Sequence, residues 1–108
     1  ILINTEALWK SWKYSRAAFA SFHLDDFQHI LNQGVLIDDD DNEDRTLLSY
    51  LAEDGYTEAV RLMLDHGAEI NHLDIYPLTA LDGAVAAKRT DTIVLLRERG
   101  AKRASELD

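Results

Sequence analysis

Residues 60–70 read VRLMLDHGAEI and residues 93–103 read IVLLRERGAKR, so a hydrophobic run closing on Gly-Ala returns after 33 residues. Gly34, Gly67 and Gly100 keep that interval, each behind a stretch with apolar residues at helical spacing. Those residues are Phe27, Ile30 and Leu31, then Val60, Met63 and Leu64, then Ile93 and Leu96. A glycine just past such a run ends a helix, because it enters the left-handed conformation that a Cβ disfavours. Thr57 and Thr90, also 33 apart, stand where N-caps are expected.

A second, shorter helix is expected upstream in each period. Thr46, Leu48, Leu51 and Ala52 recur as Thr79, Leu81, Ala84 and Val85, and Asp41 and Asp74 open the turns ahead of them. Each period therefore reads as turn, short helix, tight bend, longer helix and Gly-Ala. Neither helix is long enough to be stable alone, so the units must stack and bury their apolar faces against one another.

Composition agrees with a single small domain. A chain of 108 residues supports one modest core, and apolar residues in periodic groups along its length argue against disorder. The absence of cysteine excludes disulfides and thiolate chemistry, with the cytoplasm as the default compartment. The first residues lack the order of a signal peptide, and no apolar run reaches membrane-spanning length, so no membrane partner is expected. The opening Ile1 in place of an initiator Met leads to the expectation that residues preceded it. Of the net charge of −9, residues 17–74 hold 14 acidic and 2 basic side chains, whereas residues 75–108 hold 5 and 6. Such a surface repels a phosphate backbone, which speaks against nucleic acid and for a basic protein or a cation.

These residues resemble the ankyrin repeat, whose period is 33. The middle unit matches at Asp41, Thr46-Leu47-Leu48-Ser49, Leu51-Ala52, Gly55, Val60, Leu62-Met63-Leu64, Gly67-Ala68 and Asn71. The last matches at Asp74, Thr79-Ala80-Leu81-Asp82, Ala84-Val85, Ile93, Leu95-Leu96 and Gly100-Ala101, and the first at Ala18-Phe19, Asp25, Phe27, Ile30-Leu31 and Gly34. The resemblance implies an all-α helical solenoid of about three stacked helix-turn-helix units with end caps. Within one domain over 1–108, we expect an N-terminal cap with an extended first helix (1–40), a full repeat (41–73) and a C-terminal capping repeat (74–108).

The departures from the family pattern are local. Ser49 and Asp82 stand where the family has His, so its Thr–His hydrogen bonding must be remade or lost. Lys88 and Phe22 occupy the bend held by Gly55 in the middle unit, at a cost of about 1 kcal/mol for a left-handed non-glycine residue. Arg97 replaces the packing residue Leu64, which suits the last unit of an array because an unpaired buried charge is expensive. At the other end Leu8, Trp12, Ser15, Phe19 and Phe22 form one helical stripe with Lys10, Lys13 and Arg16 outside it; Trp12 is expected in the core and Trp9 outside it.

Motifs for chemistry fail on spacing. His23 and His29, like His66 and His72, are six residues apart, which does not place two imidazoles on one helical face for a metal. The run DDDDNED at residues 38–44 puts Glu43 where an EF-hand needs glycine and Ser49 where it needs a bidentate Glu. Either weak cation binding or a merely solvated acidic turn is left. No phosphate loop, nucleophile elbow or zincin motif occurs, so neither a cofactor nor catalysis is expected.

The resemblance implies a cupped surface of turn tips, the fingers, and first helices, the palm, that binds other proteins. The first finger gathers Asp38, Asp39, Asp40, Asp41, Glu43 and Asp44, and Glu53 and Asp54 extend the acidic surface over the palm. Solubility or a basic ligand accounts for that crowding. On the second finger, Leu73, Ile75 and Tyr76 fall at contact-making positions around Pro77; they either form a binding hot spot or fold back over the last helix pair. Two functions follow. One is an acidic module, monomeric when free, that binds a basic protein; it is similar to small bacterial ankyrin proteins that serve as antidotes to a toxin such as a basic nuclease. The other is a scaffold or assembly domain that grips through the Tyr76 finger.

Overall fold

The computed structural model describes residues 24–107. Among them the chain forms five α-helices: α1 (Leu24–Asn32), α2 (Leu47–Asp54), α3 (Thr57–Asp65), α4 (Ala80–Ala86) and α5 (Thr90–Glu98). A 3-10 turn over Ala104–Glu106 follows, and the one β-type contact among the described residues is an isolated bridge between Asp40 and Thr46. Equivalent helices begin or end 33 residues apart, as Leu47 and Ala80 do at their starts and Asn32, Asp65 and Glu98 at their ends.

The helices lie side by side in two layers. In one layer α2 packs on α4; in the other α3 packs against both α1 and α5, and short bends join α2 to α3 and α4 to α5. One continuous core runs between the layers, built from Phe27, Ile30 and Leu31, then Leu47, Leu48 and Leu51, then Val60 and Met63, then Leu81, Leu95 and Leu96. Each large side chain buried there contributes about 1.5–3 kcal/mol, which no isolated helix pair of this length could gather. Leu64 and Ile93 sit at the margin of this core, partly buried. Ala68 and Ala101 close it behind their glycines, which is why the Gly-Ala pair returns: glycine turns the chain and alanine plugs the seam.

Gly34, Gly67 and Gly100 have φ of +83°, +87° and +89° as expected of helix stops. Gly55 (φ +80°) and Lys88 (φ +60°) make the same bend in successive units, so Lys88 is held left-handed. The N-caps correct the sequence reading. Thr57 and Thr90 are the first residues of α3 and α5, and the flanking Tyr56 and Arg89 make no side-chain cap. The preceding bends supply the acceptor themselves, because the Thr57 N–H donates to Gly55 O at 2.9 Å and the Thr90 N–H to Lys88 O at 3.1 Å. Side-chain caps instead start the short helices. Thr46 Oγ1 accepts from the Ser49 N–H at 3.4 Å, and Thr79 forms a reciprocal capping box with Asp82.

The hydrogen bonding at the missing histidines is remade. Asp82 accepts from the Thr79 N–H at 3.0 Å, from Arg103 Nε at 2.8 Å and from the Ala104 N–H at 2.9 Å, tying α4 to the following loop. Burial pushes the Asp82 carboxyl up, but these donors outweigh it and hold it below the usual carboxylate range. Arg97 is half exposed and paired with Glu106 at 2.8 Å, so its charge is not buried unpaired. The stripe of Leu8, Trp12, Ser15, Phe19 and Phe22, with Trp9, Lys10, Lys13 and Arg16, lies outside the described residues. No helix among the described residues is long and apolar enough to cross a membrane.

Candidate functional site

The two turns that precede α2 and α4 are copies of one local design. Asp41 Oδ1 accepts from the backbone N–H of Glu43 at 2.9 Å and of Arg45 at 3.0 Å. Asp74 Oδ1 accepts from Tyr76 N–H at 2.9 Å and Leu78 N–H at 2.8 Å. A short aspartate side chain can reach its own backbone two residues on, which is why Asp recurs here and why a longer acid would not serve. The acidic tip of the first turn thus includes one carboxylate, Asp41, that the turn itself requires.

The tips are also joined to each other. The Ile75 N–H donates to Glu43 O at 3.1 Å, the Tyr76 hydroxyl donates to the Glu43 carboxylate, and His72 Nε2 lies 2.8 Å from Asp44 O. Glu43 and Tyr76 occupy the same register in successive units. The hydrogen bond to Glu43 raises the pKa of the Tyr76 phenol. Acidic and apolar groups that lie 33 residues apart in sequence therefore share one surface.

Beneath the tips, Arg45 binds three parts of the fold together. Its Nη2 pairs with Glu53 Oε2 at 2.5 Å, its Nε lies 3.8 Å from Asp74 Oδ2 without a hydrogen bond, and its guanidinium sits 4.2 Å from the centroid of the Tyr50 ring. Tyr50 in turn donates its hydroxyl to Asp41 Oδ2. Burial pushes the Asp41 carboxyl up, yet the Tyr50 hydroxyl and the two turn N–H groups prevail and hold it below its ordinary value. Burial, together with the hydrogen bond to Asp41 and its charge, pushes the Tyr50 phenol up to about 12. Neither Arg45 nor Tyr50 was among the residues singled out by sequence. Arg45 had a signal nonetheless, as the single basic residue within the acidic stretch 38–54.

The expected site residues divide accordingly. Asp38 is exposed and accepts from the Glu69 N–H at 2.8 Å. Asp39 and Asp40 are half-buried, with an Asp40 carboxylate oxygen 3.9 Å from His72 Nε2. Glu43 is half-buried, and Asp44 is exposed and left-handed at φ +56°. Glu53 and Asp54 are half-buried on α2; Glu53 is held by Arg45, and its carbonyl accepts from Arg89 Nε at 2.9 Å. Leu73, Ile75 and Tyr76 are 43%, 55% and 58% exposed, with Leu78 beside them at 44%. They do not fold back over the last helix pair; the bonds from residues 72, 75 and 76 to Glu43 and Asp44 hold the second tip against the first.

His66 is a structural tie, with Nδ1 2.8 Å from Leu62 O and Nε2 2.8 Å from Asn32 Oδ1, which links α1 to α3. Among the described residues no group of three or more His, Asp or Glu side chains is arranged to hold a metal ion.

Known proteins agree on the architecture. An ankyrin repeat protein of fowlpox virus (strain NVSL), FPV244, is 38% identical over 64 residues, which is 59% of this chain and 10% of that protein. The crystal structure of the human ASB11 ankyrin repeat domain superposes with a TM-score of 0.70 at 20% identity, covering 94% of this chain and 42% of the other. The chain therefore spans a minor part of the length of either relative. The family model for ankyrin repeats (three copies) matches residues 15–105. With that match over most of its length, the chain belongs to the ankyrin-repeat family, whose members are generally protein–protein interaction modules.

Proposed function

We propose that this domain binds a basic protein through the joined tips of its two turns and performs no chemistry of its own. The observation that supports this most is the bond between Glu43 and residues 75 and 76, with His72 on Asp44, which makes one surface of acidic and apolar groups. The acidic-finger and Tyr76-finger readings then describe two halves of a single interface and cease to compete. Carboxylates around the tip steer a cationic partner and set the association rate, while the exposed Ile75 and Tyr76 supply the desolvated contact that slows release.

The test is to recover the protein that co-purifies with the tagged domain from its native cell and to compare variants. Glu43→Lys with Asp44→Lys, and separately Ile75→Ser, should each weaken the complex. A partner that is acidic, or that is retained equally by both variants, would overturn the reading. In the antidote version the partner is a toxin whose activity falls in step with complex formation. In the scaffold version its activity is unchanged by binding.

A further inference from the structure

We infer that the exposed Tyr76, whose hydroxyl is bonded to Glu43 with Asp44 next in the chain, seats an arginine side chain of the partner; this rests on the function proposed above and names the contact at its centre.

The protein already contains one such arrangement, filled from within. Arg45 lies 4.2 Å from the centroid of the Tyr50 ring, its guanidinium pairs with Glu53 at 2.5 Å, and the Tyr50 hydroxyl is anchored on the Asp41 carboxylate. A tyrosine whose hydroxyl is held by a carboxylate keeps its ring in place and presents its negative face to a cation. The Tyr76–Glu43 pair repeats the first half of that arrangement at the tip, but on a residue that is 58% exposed to solvent. Among the described residues neither Glu43 nor Asp44 takes part in an ion pair, and Arg45, whose charge reaches Tyr76, is itself paired with Glu53 at 2.5 Å.

Arginine fits this place better than lysine for geometric reasons. A guanidinium can stack flat on the ring while its N–H edge reaches the carboxylates, whereas an ammonium is a strongly hydrated point charge that gains little from the ring. Leu73, Ile75 and Leu78, exposed in the same turn as Tyr76, are the apolar groups available to the methylene stem and to an aliphatic neighbour in the partner.

The experiment uses the full 108-residue chain and two end-blocked peptides, Arg-Leu-Arg and Lys-Leu-Lys, followed by NMR titration of amide and tyrosine-ring signals. The arginine peptide should shift Glu43, Asp44, Ile75 and Tyr76 first and bind about fivefold more tightly than the lysine peptide, as a partly solvated cation–ring contact allows. Tyr76→Leu should remove the difference between peptides and Tyr76→Phe should keep most of it, with the amide spectrum of each variant reporting an intact fold. Equal binding of both peptides, weakened by salt and indifferent to Tyr76→Leu, would overturn the arginine seat and leave the basic-partner reading standing. Shifts absent from this surface for both peptides would overturn the two together.

Discussion

Asp41 shows why residues of one type in one run differ in what they do. Its carboxylate holds two turn N–H groups and the Tyr50 hydroxyl, so Asp41→Ala should destabilise the domain by about 1–3 kcal/mol in urea denaturation. Asp44→Asn, which keeps a residue tolerant of positive φ, should change it by under about 0.5 kcal/mol. The same contrast has a pH signature. Asp41 has a folded pKa below its unfolded value, so its contribution is complete above pH ~4 and is lost as pH falls through the lower folded value. The stability gap between wild type and Asp41→Asn should therefore be widest above pH ~4 and narrow below it; a gap independent of pH would contradict this account. Sequence revealed Asp41 and Asp74 as turn openers because their interval repeats. It could not reveal that Asp41 also anchors Tyr50, since that contact exists only once the turn has folded onto α2. Thr57 and Thr90 misled for a related reason: each is already the first helical residue, one place past the cap position, and its own N–H is taken by a carbonyl of the preceding bend.

At the scale of elements, the bends between helices hold the strain. Lys88 repeats the left-handed backbone of Gly55, and a Cβ in that conformation costs about 1–2 kcal/mol, offset in part by the entropy glycine loses on folding. Lys88→Gly should accordingly raise stability by up to about 1 kcal/mol. The glycines themselves should rank by surroundings. A Cβ on Gly67 meets nothing within 4 Å, so Gly67→Ala should carry the backbone cost alone. A Cβ on Gly55 would lie 2.8 Å from Arg89 Cδ and displace a side chain bonded to Glu53 O, so Gly55→Ala should cost more. Chemical denaturation of the three variants checks the order, and a destabilised Lys88→Gly would contradict it. Helix positions were legible because apolar spacing and the stop glycines agree in every unit. The short helices were legible mainly by repetition, as seven or eight residues hold too little periodicity to stand alone.

Over the whole molecule, a layered stack uses the base of its turns, at Val35, Ile37 and Ile70, to close the core and leaves the tips outside it, where charge and apolar area gather that the core does not need. The fold was readable because a 33-residue period constrains every unit at once. The union of acidic and apolar tips was not, because it depends on Glu43 and Tyr76 sharing a register across two turns, and neither residue belongs to the repeating skeleton. The most direct measurement is the association and dissociation rate of the co-purified partner across ionic strength, for wild type, Glu43→Lys with Asp44→Lys, and Ile75→Ser. Association of the wild type should slow steeply with added salt, the charge reversal should slow it at low salt, and Ile75→Ser should leave association intact while speeding release. Rates indifferent to salt and unchanged in both variants would contradict binding at the joined tips.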